Sequence, residues 1–279
     1  MGNIKKKSFI SRLISGKTAV LTCLIITIVF LLVLHLCAFV TDKLIPASSA
    51  MLRKTVCEGL LAVFALFLLK ITAGFRRLRS GVLAQLRQLS RGRKIRILIM
   101  FSCAVVIHLF RAVYGHTSAE LRPVGDILLF VLFVTFIGIA EEVVFRGVIA
   151  ESMLRTFGTD EEGKHFAALV SGIIFGMAHI QNMFDSEVLG VLVQCVGASV
   201  IGILFTELYY SLHSLKPTII LHAGIDFLAA LEFGLFEDVS ASQIVSTYSL
   251  WMVVPYAVLF LAWLGYSKLF GSEKLCTEG

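Results

Sequence analysis

Apolar residues in this chain run in blocks of about twenty rather than in stripes, and that narrows most sharply what it can fold into. A hydrocarbon core about 30 Å thick takes roughly 20 residues of helix to cross. On that measure eight blocks qualify, at about 19–40, 56–74, 97–114, 124–153, 165–180, 188–210, 214–236 and 249–270. Only 16% of the 279 residues are charged, against about 25% in a soluble globule, and the mean hydropathy is +0.88. The expected fold is therefore all-α, a polytopic membrane bundle of about eight helices. One membrane-embedded domain is expected over 19–270, after a basic segment at 1–18.

Orientation follows from the basic residues, which favour cytoplasmic loops. With the N-terminus inside, eighteen Lys and Arg fall on inner segments, eight of them in the loop 75–96. Four fall outside: Lys43, Arg53, Lys54 and Arg122. Both termini are thus expected in the cytoplasm. The 75–96 loop, with Val82, Leu83, Leu86 and Leu89 spaced amphipathically, either lies on the anionic inner leaflet or is a solvated loop. The net charge of +6 reads as topology, since no basic cluster has stacking aromatics around it, and no nucleic-acid partner is expected. The first apolar run lacks a small-x-small cleavage site and reads as an anchor. Six scattered cysteines without a CxxC pair read as small apolar side chains. Gly172-x-x-x-Gly176 and Ala198-x-x-x-Gly202 suit close helix packing in lipid.

Three of the apolar blocks carry ionisable groups well inside their ends. The fourth holds Glu141, Glu142 and Arg146, the fifth His179, and the seventh His222 and Asp226. A charge near the centre of a spanning helix costs roughly 2.5–3.5 kcal/mol even on a lenient scale, so each needs a partner or a cavity. Glu142 and Arg146 are i,i+4 and can pair. Glu141 lies about 100° away around the helix and can point elsewhere. Counted from the cytoplasmic ends at about 1.5 Å per residue, Glu141, His179, His222 and Asp226 lie roughly 12–21 Å deep. Three helices are thus expected to meet around one polar cavity, open to the cytoplasm. Such a cluster suits activation of water. A carboxylate can take the proton of the attacking water and return it to the leaving group. Imidazoles can then position the water and steady an oxyanion. Alternatively His179, His222, Asp226 and Glu141 could hold a divalent metal such as zinc. His35 and His108 read as histidines bonded to neighbouring helices. Glu58, Lys70, Glu207 and Glu232 lie near helix ends and are given no role.

Taken together, "EEVVFR", "FGMAH" and "HAGID" read as E-E-x-x-x-R, F-x-x-x-H and H-x-x-x-[N/D], in that order on three apolar helices. The chain resembles the intramembrane CAAX-protease and bacteriocin-processing family over about 124–236. The resemblance implies an eight-helix endopeptidase with Glu141 activating water, His179 assisting, and His222 with Asp226 lining the other side. Glu142, Arg146 and Phe175 would support them. Eukaryotic CAAX endopeptidases of this family have Asn where this chain has Asp226, and Asp suits a metal ligand or a partner orienting His222.

The leading expectation is an intramembrane endopeptidase, a metalloprotease if the metal is present, acting on a membrane-associated peptide or protein. A non-proteolytic factor on the same scaffold, such as a bacteriocin immunity or scaffolding protein, is the alternative. An ion-coupled transporter would favour Gly/Pro-broken helices in paired halves, and four prolines speak against it. The short loops suit a bacterial cytoplasmic membrane.

Overall fold

A computed structural model describes residues 18–72, 78, 87, 89–114 and 120–271. The basic segment 1–17, most of the basic loop 75–96 and the tail after 271 lie outside the described residues. The chain is an all-α polytopic membrane bundle. Its main helices are α1 (Ala19–Leu44), α2 (Ala50–Thr72), α3 (Arg91–Tyr114) and α4 (Val124–Glu142). A π-helical stretch, Val143–Ala150, carries α4 without a break into α5 (Glu151–Phe157). There follow α6 (Glu161–Ala178) with a 3₁₀ run His179–Phe184, α7 (Val188–Leu212), α8 (Lys216–Ala229), α9 (Leu231–Leu235), α10 (Ala241–Ser246) and α11 (Val253–Gly271). Among the described residues there is no strand, only an isolated bridge between Leu121 and Phe236.

Among the described residues five helical stretches are long and apolar enough to cross a membrane: Ala19–Leu44, Ala47–Thr72, Val124–Phe157, Glu161–Phe184 and Val188–Leu212. Large apolar side chains such as Leu32, Phe67, Leu128 and Leu192 are exposed along them, as lipid-facing positions require. The third, seventh and eighth expected spans coincide with α3, α8 and α11, which fall short of that measure. Four basic residues open α3, and the 14 residues of α8 rise only about 21 Å.

Boundaries have local causes. Pro123 stands at the N-cap of α4, where a missing N–H costs nothing. Gly158, at φ 112°, ends α5 in a backbone shape closed to other residues. His213 closes α7 in the left-handed region, its N–H on Tyr209 O at 2.7 Å. The expected seventh span at 214–236 is broken at Ala230, correcting that boundary. The break lets Phe227 and Phe233 clamp Phe130, with ring centroids 5.5 and 6.1 Å away. Gly234 meets the same ring so closely that no side chain fits there.

The helices assemble as close pairs. At Gly172 a methyl group would lie 2.7 Å from the Ile203 backbone nitrogen, so α6 and α7 touch backbone to backbone, the approach that small residues permit in lipid. α2 packs along α4, and α8 packs on the other side of α4.

Candidate functional site

The π-helical stretch begins directly after Glu142 and carries Arg146. Such segments are rare and concentrate at functional sites, because the wider turn frees backbone carbonyls. Here Ala150 O accepts from Tyr210 Oη at 2.7 Å and Phe145 O from Ser171 Oγ at 3.5 Å.

Glu142 and Arg146 form the pair that their spacing suggests, with Glu142 Oε1 2.8 Å from Arg146 Nη1 and both side chains almost wholly enclosed. The guanidinium lies 4.4 Å from the Phe175 ring and 5.2 Å from Phe205, and donates to Gly202 O at 3.3 Å. Glu142 Oε1 also accepts from His222 Nδ1 at 2.7 Å. The carboxylate therefore serves two partners and fixes the imidazole, which stacks on Phe205.

With Nδ1 so engaged, His222 turns Nε2 toward Glu141 Oε2 at 3.5 Å and Asp226 Oδ2 at 3.4 Å. The Glu141 and Asp226 side chains are 23% and 27% exposed, whereas Glu142 is sealed, so the two adjacent glutamates do face different spaces. His179 donates from Nδ1 to Phe175 O at 3.1 Å, which leaves Nε2 as its other polar atom. Phe175 lies edge-on to both imidazoles, 5.2 Å from His179 and 5.7 Å from His222. The structure thus brings together all seven residues singled out from the sequence.

Glu141, His179, His222 and Asp226 line one cavity of about 270 Å³, walled by apolar side chains of α1, α2 and α4. It shares Leu34, Glu58, Phe133, Gln181 and Asn182 with a wider cavity of about 680 Å³. A third pocket of about 100 Å³ meets His179, His222 and Asp226 from the α7 side and ends at His108 and Tyr256. His108 approaches Tyr256 Oη at 3.4 Å, the inter-helix bond expected of it.

The wider cavity is lined by Thr41, Asp42, Arg53, Lys54, Asp185 and Ser186. These residues stand at the bundle end opposite the turns around residues 159 and 214.

Four polar wall residues have no place in the sequence reading: Glu58, Gln181, Asn182 and Gln194. Asn182 Nδ2 donates to Gln194 Oε1 at 2.8 Å, so the Gln194 amide is held where α7 borders the cavity. Glu58 lies toward one end of its helix, yet measured from that end it is about 12 Å deep at 1.5 Å per residue. That places it in the half of the bundle where His179 lies.

Among the described residues no group of three or more His, Cys, Asp or Glu side chains is arranged to hold a metal ion. His222 donates Nδ1–H to Glu142 and turns Nε2 between two carboxylates, an orientation that serves proton handling and is equally the one a metal-ligating imidazole takes. Cys23, Cys37, Cys57 and Cys195 are free.

Residues 123–228 match the model of a family described as type II CAAX prenyl endopeptidase Rce1-like. The similarity covers the stretch that holds the site. The matched stretch contains Glu141, Glu142, Arg146, Phe175, His179, Gln194, His222 and Asp226, and leaves out Glu58. No individual curated protein matches the chain significantly. That similarity, with the apolar helices, supports a CAAX-protease-like, multi-pass membrane protein in contact with the bilayer.

Proposed function

We propose that the protein is an intramembrane endopeptidase in which Glu141 activates water to hydrolyse a peptide bond of a membrane-associated polypeptide. The observation that carries this reading is the pairing of a partly exposed carboxylate, Glu141, with a fixed imidazole, His222, at the wall of a cavity in an otherwise apolar bundle. A general base near a cavity water contributes about 10²–10⁴-fold.

The steps balance without a further reagent. Glu141 takes one proton from a water held by His179 Nε2, and the hydroxide oxygen bonds to the carbonyl carbon of the substrate. The C=O electron pair moves onto oxygen, giving a tetrahedral oxyanion. Glu141 then delivers its proton to the leaving nitrogen, the C–N bond breaks, and an acid and an amine leave. His222, oriented by Glu142 and Asp226, holds the Glu141 carboxylate in place. The oxyanion needs a donor that carries no negative charge, since Glu141 and Asp226 are both near it. The Gln194 amide, held through its oxygen by Asn182, supplies Nε2–H. Asp226 presents no such donor when ionised, so an amide from a different helix does the work. A divalent metal at His179, His222, Asp226 and Glu141 would act on the same water, but no step above requires one.

The test uses purified protein in detergent with an internally quenched farnesylated peptide ending in a CAAX sequence. Cleavage by the parent chain and its loss in Glu141→Gln, with unchanged thermal unfolding, is the expected result. Equal cleavage by the parent and Glu141→Gln would sink the assignment. The second reading, a non-proteolytic immunity or scaffolding factor, gains if Glu141→Gln retains full biological function in cells.

A further inference from the structure

We infer, resting on the endopeptidase reading above for the chemistry beside it, that Glu58 is the anionic end of a specificity subsite. The substrate then carries a lysine or arginine side chain within a few residues of the bond that is cut.

α2 delivers this carboxylate to the passage between the two larger cavities. Glu58 and Leu61, about one turn apart, line the narrower cavity, and Lys54, Cys57 and Glu58 line the wider one. Glu58 is within electrostatic reach of Glu141 and Asp226, yet it lies outside the stretch 123–228 that matches the family. Among the described residues it forms no hydrogen bond or ion pair. The two cations nearest in sequence are placed elsewhere. Arg53 binds Asp42 at 2.7 Å and Pro46 O at 3.2 Å, and the Lys54 ammonium stands over the Phe233 ring at 5.7 Å. A partly buried carboxylate among Leu34, Leu61 and Phe133 is costly without a partner. From the 3₁₀ run at 179–184, Gln181 lines the same two cavities, and its enclosed Oε1 receives no hydrogen bond. The passage thus offers acceptors and lacks donors.

The charge balance of the walls points the same way. With Arg53 and Asp42 paired, Glu58, Glu141, Asp185 and Asp226 remain against one ammonium, Lys54. Even with His222 charged, negative groups are in excess, and low-dielectric walls focus their field on a cationic occupant. Glu141 and Asp226 both face His222 Nε2, at 3.5 and 3.4 Å. Glu58 is the carboxylate left for the substrate.

The size of the site sets the kind of cation. About 270 Å³ is close to the lower end of the range for pockets that enclose a drug-sized ligand, room for a few residues of extended chain. The stem of a lysine or arginine is apolar and its head is charged. Such a side chain can lie along Leu34, Leu61 and Phe133 and still reach Glu58, while the backbone passes Glu141.

Two measurements test the inference. Quenched farnesylated peptides differ only in carrying Lys or the uncharged, similarly shaped norleucine, placed in turn at positions on either side of the scissile bond. At one position at least, the parent chain should cleave the Lys peptide with kcat/KM about 10- to 100-fold above its norleucine counterpart, the worth of one hydrogen bond to a charged group. Glu58→Gln should abolish that ratio and Glu58→Asp should keep most of it. The ratio is taken within each variant, so a general loss of activity cancels. A ratio near one in the parent at every position, or an unchanged ratio in Glu58→Gln, overturns the inference. Next, fluorescence anisotropy follows binding of the labelled peptides to Glu141→Gln and to Glu141→Gln/Glu58→Gln. A preference for Lys in the first that disappears in the second supports the subsite without any cleavage. That preference with no cleavage of any peptide by the parent rejects the endopeptidase reading and leaves the subsite standing. No preference for Lys in either measurement overturns it.

Discussion

Arg146→Met separates the structural pair from the chemistry. Methionine keeps an unbranched apolar stem between Phe175 and Phe205 but removes the guanidinium, which is 0% exposed. Glu142 then loses the partner at 2.8 Å and keeps the His222 hydrogen bond at 2.7 Å. Removing one member of a buried ion pair costs about 3–5 kcal/mol, because the charge left behind is uncompensated. The cation–π attraction that disappears with the guanidinium is worth about 2 kcal/mol when desolvated. The two effects overlap, so about 4 kcal/mol is expected. The repair is Glu142→Gln in the same chain. A glutamine oxygen still accepts from His222 Nδ1–H, and no buried charge remains, so the double variant should recover at least about half of the loss. Reversible unfolding in mixed detergent and SDS micelles reads both changes. If Arg146→Met costs less than about 1 kcal/mol, or if Glu142→Gln adds to the loss, the pair does not neutralise the helix as argued.

The remaining predictions follow from single interactions. Gln194→Leu should lower kcat by about 10²–10³-fold with KM little changed, the signature of a missing oxyanion donor, and an unchanged kcat would remove that role. Gly176→Val places a branched side chain against the Cys195 carbonyl and Ser199, and overpacking costs about 1–3 kcal/mol. Because His179 follows one turn later, cleavage should fall further than the thermal unfolding of that variant implies. Treatment with 1,10-phenanthroline should leave the cleavage rate within about twofold, since a Lewis acid that supplied the nucleophile would be indispensable. Loss of cleavage that zinc restores would show a metal in the site.

Much of this arrangement is legible in the residues because membrane spans are simple to read. Apolar blocks mark where helices run, and a charge inside one demands a partner, so the i,i+4 spacing of Glu142 and Arg146 points to their pairing. The small-residue steps at Gly172 and Gly202 likewise announce close approach between α6 and α7. The π-helical stretch is not legible, since Val143–Ala150 has the composition of any apolar helix and its carbonyls are claimed by Tyr210 and Ser171 from other helices. The break at Ala230 depends on Phe130, about a hundred positions earlier. Glu58 escapes because a place toward one end of its helix hides a depth of about 12 Å.

The backbone contact between α6 and α7 has a mechanical consequence. His179 and Gln194 ride on that fused pair, while Glu58 and Glu141 ride on the opposing pair of α2 and α4. The α6–α7 pair cannot shear internally without parting glycines from backbone, so the compliant direction of the bundle runs across the gap that separates it from α2 and α4. Under the proposed endopeptidase activity, a substrate strand wedged into that gap would load Glu141 on one jaw against Gln194 on the other, and the grip on the peptide would also set the spacing of the reacting groups.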